Sequence, residues 1–277
     1  MMDMQMYMVA EALALAGVGA VAGVLGGLLG IGGGVIIVPL LDTILRWNGV
    51  ESGFALHMAV ATSLACIMVT NLRGAKIHTA KGNVHWPFIL RWAPGLLVGC
   101  GVGNMLALHL AEHHIALIFC LTLLPLLGNL MLHPSPADEV YDVRRVPPYI
   151  LQPLGTIVGF VATVAGLGGA ILAGPMMLRF GFSPRQTVGN ASAVGLLVST
   201  PAVLATLAHH TAPDAPAFTI GFVYLPAVVL VAGASLLLVP LGVQWSHHIS
   251  ARTTRWIFRI LLSFSLLKVG GPYVVAF

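Results

Sequence analysis

The sequence predicts an all-α polytopic membrane protein built from two inverted repeats. Each repeat is expected to hold three full transmembrane helices and one re-entrant helical hairpin broken by glycine; eight simple spans are the alternative. Three observations lead there. Of 277 residues, 58% are hydrophobic and only 8% charged; a soluble domain carries about 25% charge and could not cover a water-facing surface without it. Apolar runs follow one another along the whole chain. One glycine-rich tract occurs twice, at a constant spacing.

The apolar runs cover 7–30, 33–46, 54–72, 84–110, 115–133, 149–166, 168–181, 187–208, 218–244 and 254–276. A helix needs about 20 apolar residues to cross a bilayer. The first run is read as a mature membrane helix. Residues 1–20 contain Asp3 and Glu11 but no Lys or Arg, and a secretory leader needs a positive n-region. The runs at 33–46 and 168–181 are too short to cross. Each follows a glycine cluster and ends in a polar turn, so 33–72 and 168–208 read as the hairpins. The chain then divides into a first repeat at 1–133, a cytoplasmic linker at 134–148 and a second repeat at 149–277. Cys66, Cys100 and Cys120 all fall in apolar stretches with no CxxC pair. The odd count argues for buried thiols rather than a disulfide framework.

The repeat is explicit. Gly23, Gly30, Gly32, Gly33 and Pro39 recur as Gly159, Gly166, Gly168, Gly169 and Pro175, with an offset of 136 in all five cases. Downstream, AVATSLACIMVTN at 59–71 resembles VGNASAVGLLVST at 188–200, with Ser63 opposite Ser192. Glycine adopts backbone angles that other residues avoid. A broken helix inside a membrane persists only where protein buries it or it lines a polar cavity. Paired glycine interruptions in two halves point to a binding site between them.

Loop charges choose between the topologies. With eight simple spans, Arg73, Lys76, Lys81, Arg144 and Arg145 face one side and Arg46, Arg179, Arg185, Arg252 and Arg255 the other, with no bias. With re-entrant hairpins, Arg73, Lys76, Lys81, Arg144, Arg145, Arg252 and Arg255 share a side. The opposite loops, apart from the hairpin tips, carry Glu112 and Asp214 instead. The positive-inside rule prefers the second arrangement. An odd number of crossings per half inverts the halves and puts both termini outside the cytoplasm.

GLLGIGGGVIIVPLL, AVATSLACIMVTN, RGAKIHTAKGNVHW and WAPGLLVG in the first half, and GLGGAILAGPMM, SPRQTVGNASAVGLLVSTPA and IGFVYLPAVVL in the second, resemble the TauE/SafE family of sulfite-exporter-like permeases. The resemblance covers roughly 20–270. It implies a secondary transporter, of exporter type, for small sulfur anions such as sulfite or organosulfonates such as sulfoacetate, in the bacterial inner (plasma) membrane. The chain departs from the family at GNVHW, where His85 stands in place of an acidic residue.

The residues themselves also suit an anion. Helix N-termini present unpaired N–H groups and a partial positive charge. Breaks at Gly30–Gly34 and Gly166–Gly169 would start new helices near Val35 and Ile171, converging near the midplane for alternating access. The candidate binding residues are Gly32, Gly33, Gly34, Thr62, Ser63, Gly168, Gly169, Asn190 and Ser192, each hydroxyl competing with a bond to its own helix backbone. Thr70, Asn71, Ser199 and Thr200 lie about two turns further on. His57, Asn71, Lys76, His78 and Gln186 are candidates for gating or coupling. Arg91 and Arg259 sit in apolar context near predicted cytoplasmic ends, where a cavity role and snorkelling both fit. Asp42 is the one acidic coupling candidate, and its repeat counterpart is Leu178.

Other classes fit less well. No nucleophile–base pair is visible, and GIGGG lacks the Lys-Ser/Thr of a phosphate-binding loop, so no enzyme is expected. Adjacent histidines such as His113–His114, His209–His210 and His247–His248 do not share a helix face, and no zinc spacing is present. No metal or cofactor is expected. The net charge of +4 is not a nucleic-acid signal. The expected partners are a small anion and membrane lipid; a Gly- and Ala-rich face at 95–107 leaves a homodimer open. An anion channel or accessory membrane subunit is the alternative function.

Overall fold

The computed structural model describes residues 2–29, 33–50, 53–132, 147–209, 211, 215–246 and 248–274. Among these are ten helices: α1 (Met2–Leu29), α2 (Gly34–Trp47), α3 (Ala55–Ala80), α4 (Trp86–Ala107), α5 (Glu112–Leu132), α6 (Pro148–Val164), α7 (Ala170–Arg179), α8 (Pro184–Leu207), α9 (Leu225–Ser246) and α10 (Ala251–Val274). A two-stranded hairpin, β1 (Thr219–Ile220) with β2 (Val223–Tyr224), precedes α9. Six helices are long and apolar enough to cross a membrane. Large hydrophobic side chains on their outer faces, such as Leu97, Val102, Leu121 and Val229, are exposed. The chain is an integral, multi-pass, all-α membrane protein.

Helix directions follow from side-chain contacts. Tyr7 at the start of α1 donates to Asn48 just past the end of α2 (2.8 Å), so α2 runs back toward the N-terminal end of α1. At the same end Asn48 reaches Glu11 (2.6 Å), Tyr224 reaches Glu11 (2.7 Å), and the Leu56 N–H reaches Glu112 (2.7 Å). At the other end the His85 N–H meets Asn190 (2.7 Å), Phe88 packs on Phe182, and Arg259 reaches the Leu130 carbonyl (2.6 Å). Thus α1 and α9 run parallel, α4 and α6 run parallel, and α3 with α8 and α5 with α10 run antiparallel. With a rise of 1.5 Å per residue, α2 is about 21 Å long and α7 about 15 Å. Neither crosses the roughly 30 Å hydrocarbon core.

The short glycine-initiated arms are therefore present, but their partners differ from the expected hairpins. The second arms do not stop at 72: α3 is one helix of 26 residues ending at Ala80, and α8 one of 24. Both run from one end of the bundle to the other. The polar residues Asn71, Arg73, Lys76 and His78 that suggested an exit lie inside α3. A second correction concerns charge. Arg179 and Arg185, expected at a hairpin tip on the opposite side, end α7 and begin α8 at the same end as Arg73, Lys76, Lys81, Arg91, Arg252, Arg255 and Arg259. Arg46 and Lys268 lie in the other half, with Glu11, Asp42 and Glu112. The expected linker falls outside the described residues up to 146, as do Arg144 and Arg145.

Glycine sets the two closest helix contacts. Gly19, Gly23 and Gly27 lie on the backbone of α9 at Val231, Ser235 and Val239. Gly95, Gly99 and Gly103 lie on α6 at Gln152, Thr156 and Phe160. Small residues at four-residue spacing let helix backbones approach in this way. The glycine face considered for a homodimer is thus occupied within the chain. Pro94 deprives α4 of a ladder bond, and Gln152 inserts its amide one residue on, accepting from the Gly95 N–H (2.7 Å) and donating to the Arg91 carbonyl (2.6 Å). A Cβ at Gly99 would collide with the Thr156 carbonyl, whereas Gly101 has open space beside it. Gly99→Leu should therefore lower stability by about 1–3 kcal/mol or more, read as a lower melting temperature in detergent, while Gly101→Leu leaves it unchanged.

Candidate functional site

The two half-helices begin the same way. Gly33 (φ 79°) caps α2 and Gly169 (φ 77°) caps α7, both in the left-handed conformation and neither start capped by a side chain. The helices start at Gly34 and Ala170, within one residue of the expected Val35 and Ile171. The Ile36 and Ile37 N–H groups bond the Gly33 carbonyl (3.0 and 3.1 Å), and Ala173 bonds that of Gly169 (2.9 Å). The N–H groups before them have no place in the helix ladder. Pro39 cannot donate to the Val35 carbonyl four residues back. Ser265 of α10 donates there instead (2.7 Å), which ties the half-helix to the bundle.

The breaks touch. A Cβ at Gly34 would stand 2.9 Å from the Gly166 carbonyl oxygen and 3.1 Å from Leu167 Cα. Ser63 donates to the same Gly166 carbonyl (3.1 Å), and Gly168 lies on Ile67. Beside this junction is a cavity of about 130 Å3. The cap Gly33, Ile37 of α2 and Ala170 of α7 form its floor. Its walls come from the seam of α1 and α9 at Gly23, Gly27, Ser235 and Val239, from α3 at Thr70, Asn71, Gly74 and His78, and from α8 at Val188 and Ser192. These are the halves of α1, α3, α8 and α9 that lead to the cation-rich end.

Most hydroxyls on these walls are engaged. Thr70 donates to the Cys66 and Ile67 carbonyls (both 3.1 Å), Ser192 to Val188 (3.0 Å) and Ser235 to Gly19 (2.8 Å). Asn71 differs. It is 6% exposed, and its amide nitrogen is buried with no hydrogen-bond partner. That nitrogen rests on Gly195, where a Cβ would occupy its place. Asn71 is therefore a side-chain donor on the cavity wall with no protein partner, next to two helix starts that share its polarity.

The candidates of the sequence fall into three groups. Gly33, Asn71, His78 and Ser192 line the cavity, and Gly34 and Gly169 lie directly behind it. Thr62, Ser63 and Asn190 do not line it; they are buried and bonded to backbone elsewhere. Thr62 accepts from the Tyr224 N–H (3.0 Å), and Asn190 accepts from His85. Lys76 is exposed on the outside of α3, and Gln186 closes a capping box with Ser183 at the start of α8. His57 lies in a different chamber at the opposite end. Gly32 lies outside the described residues. The odd residue of GNVHW has a local role: His85 caps α4, its Nδ1 accepting from the Phe88 N–H (3.2 Å). A carboxylate there would accept the same bond.

The sequence misread the far end most. Asp42, taken as a loose candidate near a tip, is bound to Arg46 (3.0 Å), which also pairs with Glu112 (2.8 Å), a residue assigned to a loop. Glu112 in turn accepts from the first turn of α3 at Leu56. The Tyr224 hydroxyl completes the network on Glu11. Burial and that carboxylate push its pKa upward, which keeps it a donor.

The family described as sulfite exporter TauE/SafE matches residues 15–269. The chain belongs to the TauE/SafE family. It is 28% identical over 246 residues to a probable membrane transporter protein of Haemophilus influenzae, covering 88% of this chain and 92% of that one. It is 26% identical over 261 residues to a probable membrane transporter protein of Methanocaldococcus jannaschii, covering 93% of each. No solved structure matches this TauE/SafE chain.

Proposed function

We propose that this TauE/SafE protein is a secondary transporter, of exporter type, that carries small sulfur-containing anions such as sulfite or sulfoacetate across a bacterial inner membrane by alternating access. Family membership and the names of the relatives support a membrane transporter rather than an enzyme. The observation that carries the anion is Asn71: a buried amide donor without a protein partner, on the wall of a cavity floored by two helix starts. Helix N-termini favour negative charge by a few tenths to about 1 kcal/mol each at exposed positions and up to about 2 kcal/mol when partly buried.

The helix directions support an inverted repeat. An in-plane two-fold axis requires each helix that meets its own counterpart to do so antiparallel, as α3 with α8 and α5 with α10 do. The remaining close contacts occur as counterpart pairs, α1 with α9 and α6 with α4. The cation-rich end is cytoplasmic by the positive-inside rule, so the cavity opens inward. The membrane potential then favours anion exit by about 2.3 kcal/mol per charge at 100 mV.

Uptake of labelled sulfite and sulfoacetate into proteoliposomes tests the cargo. Saturable uptake, competed by the unlabelled anion, is expected. Absence of uptake for every small sulfur anion tried would refute it. Orientation is tested separately with single cysteines at positions 3 and 76: in intact cells a membrane-impermeant thiol reagent should reach position 3 and spare position 76. The reverse pattern would overturn the inward-facing assignment.

A further inference from the structure

The cavity has a small relative at the opposite end of the bundle. A chamber of about 20 Å3 is bordered by His57, Asn104, Thr163, Thr206 and Phe222. In the cavity, the C-terminal half of α3 faces the N-terminal half of α8, and the seam of α1 and α9 closes the third side. In the chamber the N-terminal half of α3 faces the C-terminal half of α8, and α6 and α4 close it. Thr163 stands 136 residues after Gly27, the spacing of the glycine repeat, and the two residues occupy matching walls.

The chamber's surface is mainly apolar, but polar side chains that a mere seal would not need, His57, Asn104, Thr163 and Thr206, border it. His57 Nε2 lies 3.1 Å from the Ala107 carbonyl and 2.9 Å from that of Leu110, so this nitrogen carries the hydrogen. In the neutral ring Nδ1 is then an acceptor; it is buried and has no partner. Buried polar groups are nearly always paired, and water entering an opened chamber would pair this one. The roof is a lid of side chains. Phe222, in the turn between β1 and β2, lies with its ring centroid 6.0 Å from that of His57 and 6.3 Å from that of Phe54.

We propose that this chamber is the collapsed far half of the transport route, through which the same small anion leaves once the cavity beside Asn71 closes. The inference rests on the alternating-access reading above and adds to it the exit and its residues. Thr163 supplies a hydroxyl donor there, and Phe222 swings clear to open it.

The test uses the full chain in proteoliposomes, with Cys66, Cys100 and Cys120 replaced, single cysteines introduced as Ser192→Cys or Asn104→Cys, and a membrane-impermeant maleimide. Methanesulfonate is the probe anion. Without it, S192C should label from the cation-rich face and N104C should stay protected. During methanesulfonate uptake N104C should label from the other face, at least several-fold faster than at rest. N104C that stays protected while uptake proceeds, or that labels only from the cation-rich face, overturns the proposal. If methanesulfonate is not carried, the functional reading is in trouble and a second arm decides this one. Ala61→Phe, or Leu64→Phe should that variant not fold, overfills the chamber and props it open. S192C labelling should then fall several-fold and N104C labelling rise, with no anion present. Unchanged labelling of both positions overturns the proposal.

Discussion

Asn71→Asp should abolish anion transport while leaving the protein folded. The side chain keeps its size and its place against Gly195, but the donating amide nitrogen becomes a second acceptor oxygen. In its ionised form the new carboxylate repels an anion in the cavity. At about 4 Å and an effective dielectric near 20, two unit charges interact by about 4 kcal/mol, which is roughly three orders of magnitude in affinity. Asn71→Leu separates the two effects. It removes the donor without adding charge, so the loss should be about 1–3 kcal/mol, or roughly 5- to 150-fold. Radiolabelled uptake with both variants, normalised to folded protein by size exclusion, checks the order: wild type, then N71L, then N71D. Equal activity in all three would remove Asn71 from the site.

Arg46→Met should destabilise the far end of the bundle by about 1–3 kcal/mol, less than for a fully buried ion pair because the Arg46 side chain is itself 33% exposed. Arg46 bonds Asp42 within its own helix and Glu112 across to α5, and both carboxylates are buried. Its loss leaves two buried negative groups close together without the guanidinium that bridges them. Glu112 still holds the Leu56 N–H at the start of α3, so the disturbance reaches the helix that carries Asn71. The triple variant R46M/D42N/E112Q, which removes the charges together, should recover most of the loss. Melting in detergent measures the series. A triple variant as unstable as R46M alone would show that shape rather than charge holds this end.

The half-helices were the most legible part of the fold. Glycine clusters followed by short apolar arms marked the starts of α2 and α7 to within a residue, because left-handed caps at Gly33 and Gly169 leave little choice of residue type. The hairpins were not legible. Polar residues from Asn71 to His78 mimic a membrane exit, yet they lie inside α3 and two of them, Asn71 and His78, face a cavity; hydropathy does not separate water in a cavity from water outside. Arg179 and Arg185 were misplaced for a related reason, since their side depends on which way α7 runs. The site was legible as a region more than as residues. Thr62, Ser63 and Asn190 stand near the breaks in sequence, but the oxygen of each bonds a backbone group from a distant part of the chain, and none of the three lines the cavity. Asn71 looked peripheral for the same reason in reverse: only packing against Gly195 brings it to the junction.

The central claim is that an anion binds beside Asn71 at the junction of the two glycine breaks. Equilibrium binding of labelled sulfite to purified protein, in wild type and N71D, tests it most directly. One saturable site per chain in the wild type, lost in a folded N71D variant, is the predicted result. Sulfite binding of equal strength in both would contradict it.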